Sequence, residues 1–248
     1  MDASQLAAGA AAAVLCGAAG LLVPQLIARL PEPAPEPGDA EPDPRRADEP
    51  PKELYVDLAA RPPRPRGAAA WAAVCGGLAG LAAGWSWGWL AVVPVVPVLV
   101  ALSVVDLRTR LLPTVLIRIA GAMVALAVAV AWVATQDTGS VLRSLVGAVL
   151  AYLVFAIAWI IYPPGMGYGD VRLSAVLGGA LGFLGWGPLF VGLYAGFLIF
   201  GLPGLVLALV RWDRRLLKTA YPFGPFMIVG ALLGVLWGAD LWARFMAA

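Results

Sequence analysis

The chain contains no histidine and only two cysteines in 248 residues. Without imidazole, Ser/His/Asp hydrolysis, Cys/His thiol proteolysis and His-ligated zinc chemistry are excluded by inventory. Cys16 and Cys75 both lie inside apolar runs with no CxxC spacing. That supports neither a disulfide framework nor a structural zinc site, and both read as buried apolar thiols. Charge is scarce as well: Asp, Glu, Lys and Arg make up 13% of residues and the net charge is only +2, with no basic patch or acidic tail to suggest nucleic acid. What the chain does have is hydrocarbon, 61% hydrophobic residues and a mean hydropathy of +0.86. Such a composition belongs to an all-α, polytopic membrane bundle and leaves carboxylates as the groups able to do chemistry.

A bilayer core takes about 20 helical residues. Eight apolar segments approach that length, near residues 5–30, 67–84, 87–105, 113–134, 141–162, 170–186, 188–210 and 222–246. Hydropathy alone permits six or seven. Residues 1–30 read as an N-terminal transmembrane anchor: Met1-Asp2 offers no basic n-region, and Arg29 follows the apolar run, which favours an uncleaved segment with its C-terminal end inside. Residues 31–66 hold 11 of the 21 prolines, nine acids, six bases and almost no aromatic residue. This stretch is expected to be a mostly disordered cytoplasmic linker. Residues 67–248 form a membrane domain of seven helices. With the linker inside, 15 of the 17 Lys and Arg fall on the cytoplasmic side and only Arg143 and Arg244 outside. Trp85, Trp87, Trp89, Trp132, Trp186, Trp237 and Trp242 then lie near the outer boundary, as an aromatic belt would. Gly178, Gly179, Gly182 and Gly185 read as close helix packing, and Pro203 as a kink.

Two acids stand out. Asp170 ends the glycine-rich run Gly165-Met166-Gly167-Tyr168-Gly169-Asp170, where a new apolar segment begins. A carboxylate entering hydrocarbon costs about 2.5–3.5 kcal/mol, so such residues usually face a polar interior, a pathway or a reaction site. The three glycines permit backbone conformations closed to other residues and close approach of a second backbone, such as a peptide substrate. Asp106 stands at the end of another apolar run, before Leu107-Arg108-Thr109-Arg110-Leu111-Leu112-Pro113. Two spans separate the acids, which returns them to the same face at similar depth. Carboxylates within a few ångströms cannot both ionise cheaply, and a pair sharing one proton is what aspartic proteolysis needs. The alternative is that both acids merely sit among headgroups beside Arg108, Arg110 and Arg172, with Arg118 snorkelling.

Three motifs resemble those of the prepilin leader peptidases, GxGD-type membrane aspartic proteases that process type IV prepilins and type II secretion pseudopilins. Asp106 through Leu112-Pro113 resembles the family's first-aspartate segment, Gly167-Tyr168-Gly169-Asp170 its GxGD segment, and Tyr221-Pro222-Phe223-Gly224-Pro225-Phe226 the segment opening its last helix. The resemblance covers residues 67–246. It implies Asp106 and Asp170 as the catalytic pair and Gly167, Gly169, Pro113, Pro222, Gly224 and Pro225 as residues that shape the site or bind substrate. It further implies no cofactor or metal, and prepilin-like protein substrates met in the inner (cytoplasmic) membrane. Arg172 stands where the family commonly has lysine, and Thr114 where a polar or acidic residue often follows the proline. Bifunctional members carry paired CxxC motifs, associated with N-methylation, where this chain has its cysteine-free linker. Methyl transfer is therefore not carried over. A proton-coupled transporter or channel using the same acids would favour mid-span positions and internal repeats, which the chain lacks. A non-enzymatic assembly component is the third class, in which the acids would be incidental.

Overall fold

The structure, a computed structural model, describes residues 2–32, 54–60, 65–161, 166–211 and 222–247, and within these all side chains but those of 59, 60, 65 and 202–211. The described residues form eleven helices and no strand: α1 (Ala3–Gly20), α2 (Val23–Ala28), α3 (Tyr55–Ala60), α4 (Pro65–Ala83), α5 (Trp87–Val92), α6 (Val96–Thr109), α7 (Thr114–Thr135), α8 (Thr138–Ile161), α9 (Tyr168–Leu184), α10 (Trp186–Arg211) and α11 (Gly224–Ala247). Helices are what a chain this apolar must form, because hydrocarbon offers no partner to an unpaired backbone N–H or C=O. Among the described residues, six stretches are long and apolar enough to cross a bilayer: α1, Arg66–Ala83 in α4, Trp87–Thr109 spanning α5 and α6, α7, α8 and α11. The expected count of about eight depends on two further helices, α9 with 17 residues and α10, whose stretch Trp186–Gly201 is the part with described side chains.

The first apolar segment is not one helix. Asp2 opens α1 with a capping box, its carboxylate accepting from the Gln5 N–H at 2.8 Å while the Gln5 side chain accepts from the Asp2 N–H at 3.1 Å. The segment turns at residues 21–22 and restarts as α2 with Pro24 in its first turn, where a missing N–H costs nothing. A similar break at 93–95, around Pro94, divides α5 from α6. Most of the proline-rich linker lies outside the described residues. Its described part carries α3, whose Tyr55 and Leu58 are buried in the core that includes Ile27 and Leu30. Tyr55 is the one aromatic residue of 31–66, and its burial anchors α3 onto the bundle.

Three antiparallel pairs dominate the packing: α1 with α4, α8 with α9, and α10 with α11. Each pair meets along small residues, as expected where lipid offers no hydrophobic drive and close van der Waals contact must hold helices together. At Gly178 of α9 a Cβ would lie 2.5 Å from the Gly147 carbonyl oxygen of α8, so the two backbones touch. Beside them Ser144 donates to the Gly179 carbonyl at 2.9 Å. The packing reading thus holds for Gly178, Gly179 and Gly182. Gly185 has a different reason: it ends α9 with φ +148°, a conformation that strains any residue with a side chain. The helix α10 runs through Pro203 without interruption.

The pairing gives the bundle two chemically distinct ends. One gathers the C-termini of α4, α7, α9 and α11 with the N-termini of α5, α8 and α10, and holds Trp85, Trp87, Trp132, Trp186 and Trp242. Trp186, Phe190 and Trp242 stack there with centroids 6.0 and 5.5 Å apart. Trp89 departs from the expected belt: it is buried, and its indole donates to the Ala8 carbonyl of α1 at 3.2 Å. The opposite end gathers the C-terminus of α6 with the N-termini of α7, α9 and α11, and it holds both carboxylates of interest.

Candidate active site

Asp106 lies in the last turn of α6, 4% exposed, and its Oδ2 accepts the backbone N–H of Gly224 at 3.0 Å. Asp170 is the third residue of α9, 5% exposed, and its Oδ2 accepts the N–H of Gly167 at 3.1 Å. This second contact is half of a capping box, an acid at N3 reaching back to the N-cap. It accounts for one oxygen only. Oδ1 of Asp170 is buried without a hydrogen-bond partner among the described residues. A buried polar atom left unsatisfied costs about 1–3 kcal/mol, so helix capping does not explain this carboxylate.

The two acids approach through Leu112. After α6 the chain turns at Arg110, a non-glycine residue in the left-handed region (φ 55°), and the Arg110 N–H returns to the Asp106 carbonyl at 2.8 Å. Pro113, extended at φ −60° and ψ 120°, is the N-cap of α7, so its missing N–H leaves no helical bond unmade. Between them the Leu112 side chain wedges into the space that glycines leave free: a Cβ on Gly169 would lie 2.7 Å from Leu112 Cβ, and one on Gly224 would lie 3.3 Å from Leu112 Cδ2 and 2.8 Å from Asp106 Oδ2. Gly224 thus admits Leu112 and the Asp106 carboxylate together, and Gly169, next to Asp170, meets the same leucine.

The reason for the glycine run is therefore close approach rather than unusual dihedrals. Gly167 sits at φ −74° and ψ 147°, open to any residue, and a Cβ there would make only ordinary contact with Asp170. Gly165 and Tyr221 lie outside the described residues. Pro222 stands in the link before α11, and Pro225 is its second residue, where no helical N–H is required.

Several residues at this end stood in the sequence motifs without an assigned role. Phe223 is buried in an aromatic cluster with Phe155, Phe197 and Phe200, at centroid distances of 5.8, 5.6 and 4.6 Å, which fixes the start of α11 and hence the Gly224 N–H aimed at Asp106. Leu112 was visible only as an apolar residue before a proline. Arg172 and Thr114, noticed separately as departures from a pattern, are hydrogen-bonded to each other at 2.7 Å. Arg118 is exposed on α7, as the snorkelling reading expects. Among the described residues no three of Cys, Asp or Glu gather to hold a metal ion.

Comparison with known proteins agrees with the resemblance. Residues 93–209 match the Type IV leader peptidase family. A prepilin leader peptidase/N-methyltransferase of Pseudomonas putida is 34% identical over 164 residues, covering 63% of this chain and 53% of that protein. Its counterpart in Aeromonas hydrophila is 32% identical over 173 residues (62% and 52%), and that of Stutzerimonas stutzeri 29% over 185 residues (69% and 59%). The chain thus spans little more than half the length of these curated relatives. No solved structure matches it. The matched segment runs from the turn before α6 into α10 and carries both Asp106 and Asp170, and over it the chain is similar to the Type IV leader peptidase family.

Proposed function

We propose that this chain is a membrane aspartic endopeptidase that removes the basic leader from prepilin- or pseudopilin-like proteins, with Asp106 and Asp170 activating water at the cytoplasmic face. One observation carries the reading: two nearly fully buried carboxylates lie at the same end of the bundle, linked through Leu112, and one keeps an oxygen without a partner among the described residues. Each is held by a single backbone N–H, which fixes its direction and leaves its second oxygen for chemistry. In the cycle that follows, the ionised partner takes a proton from water as the oxygen attacks the scissile carbonyl. The protonated partner donates to the developing oxyanion, and the tetrahedral adduct collapses as the leaving nitrogen gains a proton. Helix-end placement disfavours a proton relay, whose acids would sit mid-span. The proteins named as relatives also methylate, by their names; the linker here has no cysteine. Cleavage without methylation is expected, and labelled S-adenosylmethionine supplied with a processed pilin should transfer nothing.

The test is cleavage of a single-span substrate with a basic leader by membranes carrying equal amounts of each variant. Wild type should cleave, and Asp106→Asn or Asp170→Asn should not. Substantial activity in either inserted variant would overturn the pair. The 15 to 2 distribution of Lys and Arg supports the acid end as cytoplasmic. A single cysteine replacing Asp137, in the α7–α8 link, should then label from outside once Cys16 and Cys75 are replaced. Shielding of that site would reverse the orientation.

A further inference from the structure

The acid end holds a second group of side chains that touches neither carboxylate. Arg172 of α9 donates to the Thr114 hydroxyl at 2.7 Å. Its guanidinium also lies over the Tyr168 ring, 4.6 Å from the centroid. Tyr168 in turn meets α8 twice, through its hydroxyl at 3.1 Å from that of Tyr152 and through its ring, 5.3 Å from Trp159. The chain of contacts therefore runs from α8 through the first turns of α9 to the first residue of α7. Thr114 directly follows Pro113, at the end of the link from Asp106 that carries Leu112. Arg172 lies two residues past Asp170.

We infer that Tyr168, Arg172 and Thr114 form a clamp that sets the spacing of the two carboxylates by pinning the start of α7 to the start of α9. This rests on the peptidase reading for its consequence, though not for its geometry. Leu112 alone cannot set that spacing: it fills the gap between Gly169 and Gly224 but exerts no pull. The Arg172–Thr114 hydrogen bond supplies the pull. Arginine suits the task because its flat guanidinium can stack on a ring while an N–H points sideways at a hydroxyl, so the ring orients the donor before the bond forms. Lysine carries the charge without the plane. None of the three side chains touches the reacting atoms, so each is a positioning residue.

Spacing errors of about 1 Å can cost roughly 100-fold in rate. Loosening one exposed hydrogen bond should do less. In the full-length protein, Thr114→Val, which removes the hydroxyl at nearly constant volume, should lower kcat about tenfold and leave KM within about twofold. Thr114→Ser should restore kcat, and Arg172→Lys should fall between. A second measurement reads the clamp without catalysis. Spin labels on cysteines at Val115 and Ile161, which are 41% and 75% exposed, report α7 against α8 in a chain lacking Cys16 and Cys75. The distance distribution should be narrow in the otherwise unchanged protein, broad in Thr114→Val and narrow again in Thr114→Ser. An unchanged distribution in Thr114→Val, or a rise in KM at constant kcat marking Arg172 as a substrate contact, would overturn the clamp. Absence of cleavage by the unaltered chain would sink the peptidase reading instead, and the distances would still decide the clamp.

Discussion

Asp137 and Asp170 both stand at the start of a helix, at opposite ends of the bundle, and they differ in what surrounds their oxygens. At the tryptophan end Asp137 caps α8: Oδ1 accepts the Ser140 N–H at 3.2 Å and Oδ2 the Ser140 hydroxyl, with the residue open to water. At the acid end Asp170 is buried, one oxygen satisfied and the other without a partner among the described residues. The first arrangement stabilises a helix end and nothing more is needed to explain it. In the second, the capping contact is present yet leaves an unpaid desolvation of about 1–3 kcal/mol. An acid at a helix start is thus a site candidate only where burial removes water from an oxygen that the protein does not replace.

The sharpest way to break this comparison is to neutralise each acid in turn. Asp106→Asn and Asp170→Asn should each reduce cleavage to background, and the double variant should be no worse, because groups acting on one water are grossly non-additive. Asp137→Asn should cleave as wild type does. All of these chains should insert normally, since the change removes a charge and keeps the shape. If the double variant lost activity multiplicatively over two partly active singles, the acids would be independent contributors rather than one unit.

Next in size are the glycines that admit Leu112. Gly224→Ala keeps the N–H that Asp106 accepts but adds a methyl 2.8 Å from its Oδ2. The carboxylate must move, and activity should fall about 100-fold if the shift nears 1 Å. Gly167→Ala, where the added carbon meets Asp170 Oδ2 at an ordinary 3.5 Å, should cost far less. Equal losses at the two positions would show that glycine is needed for something other than the room it leaves. Away from the site, Gly178→Val pushes against the Gly147 carbonyl and should destabilise the α8–α9 pair by about 1–3 kcal/mol, read as a lower Tm in detergent.

Much of this was legible in the chain. Hydropathy locates the apolar segments because lipid imposes length and pattern strongly, and an even count of crossings puts Asp106 and Asp170 at one end. The breaks at 21–22 and 93–95 were less legible, since a proline beside an apolar run can open a helix as readily as kink one. The folding of Tyr55 onto the bundle was hidden by its acidic, proline-rich neighbours, whose composition outweighs one aromatic residue. Contacts across space left no trace at all. Nothing in Leu112 announces that two glycines, 55 residues apart in Gly169 and Gly224, share it as a neighbour, and Thr114 and Arg172 drew notice singly but not as partners.

The smallest expected effect belongs to the acid at the other end. The Ser140 hydroxyl and N–H hold the Asp137 carboxyl below its ordinary value of 3.8, with Arg143 a lesser contributor. A depressed value means that the folded chain prefers the ionised form, so this stabilisation is complete above the ordinary value and is lost as pH falls through the depressed one. Asparagine caps a helix about as well as aspartate but carries no charge for the positive N-terminal end of α8. Asp137→Asn should therefore lower Tm slightly at pH 7, and the gap between the two proteins should close as pH drops below about 3.8. For a carboxylate this exposed, salt should shrink the gap as well. A difference that persisted unchanged to the lowest pH would mean that shape, not charge, distinguishes the two caps, and the solvated acid would then be no measure of what the buried one lacks.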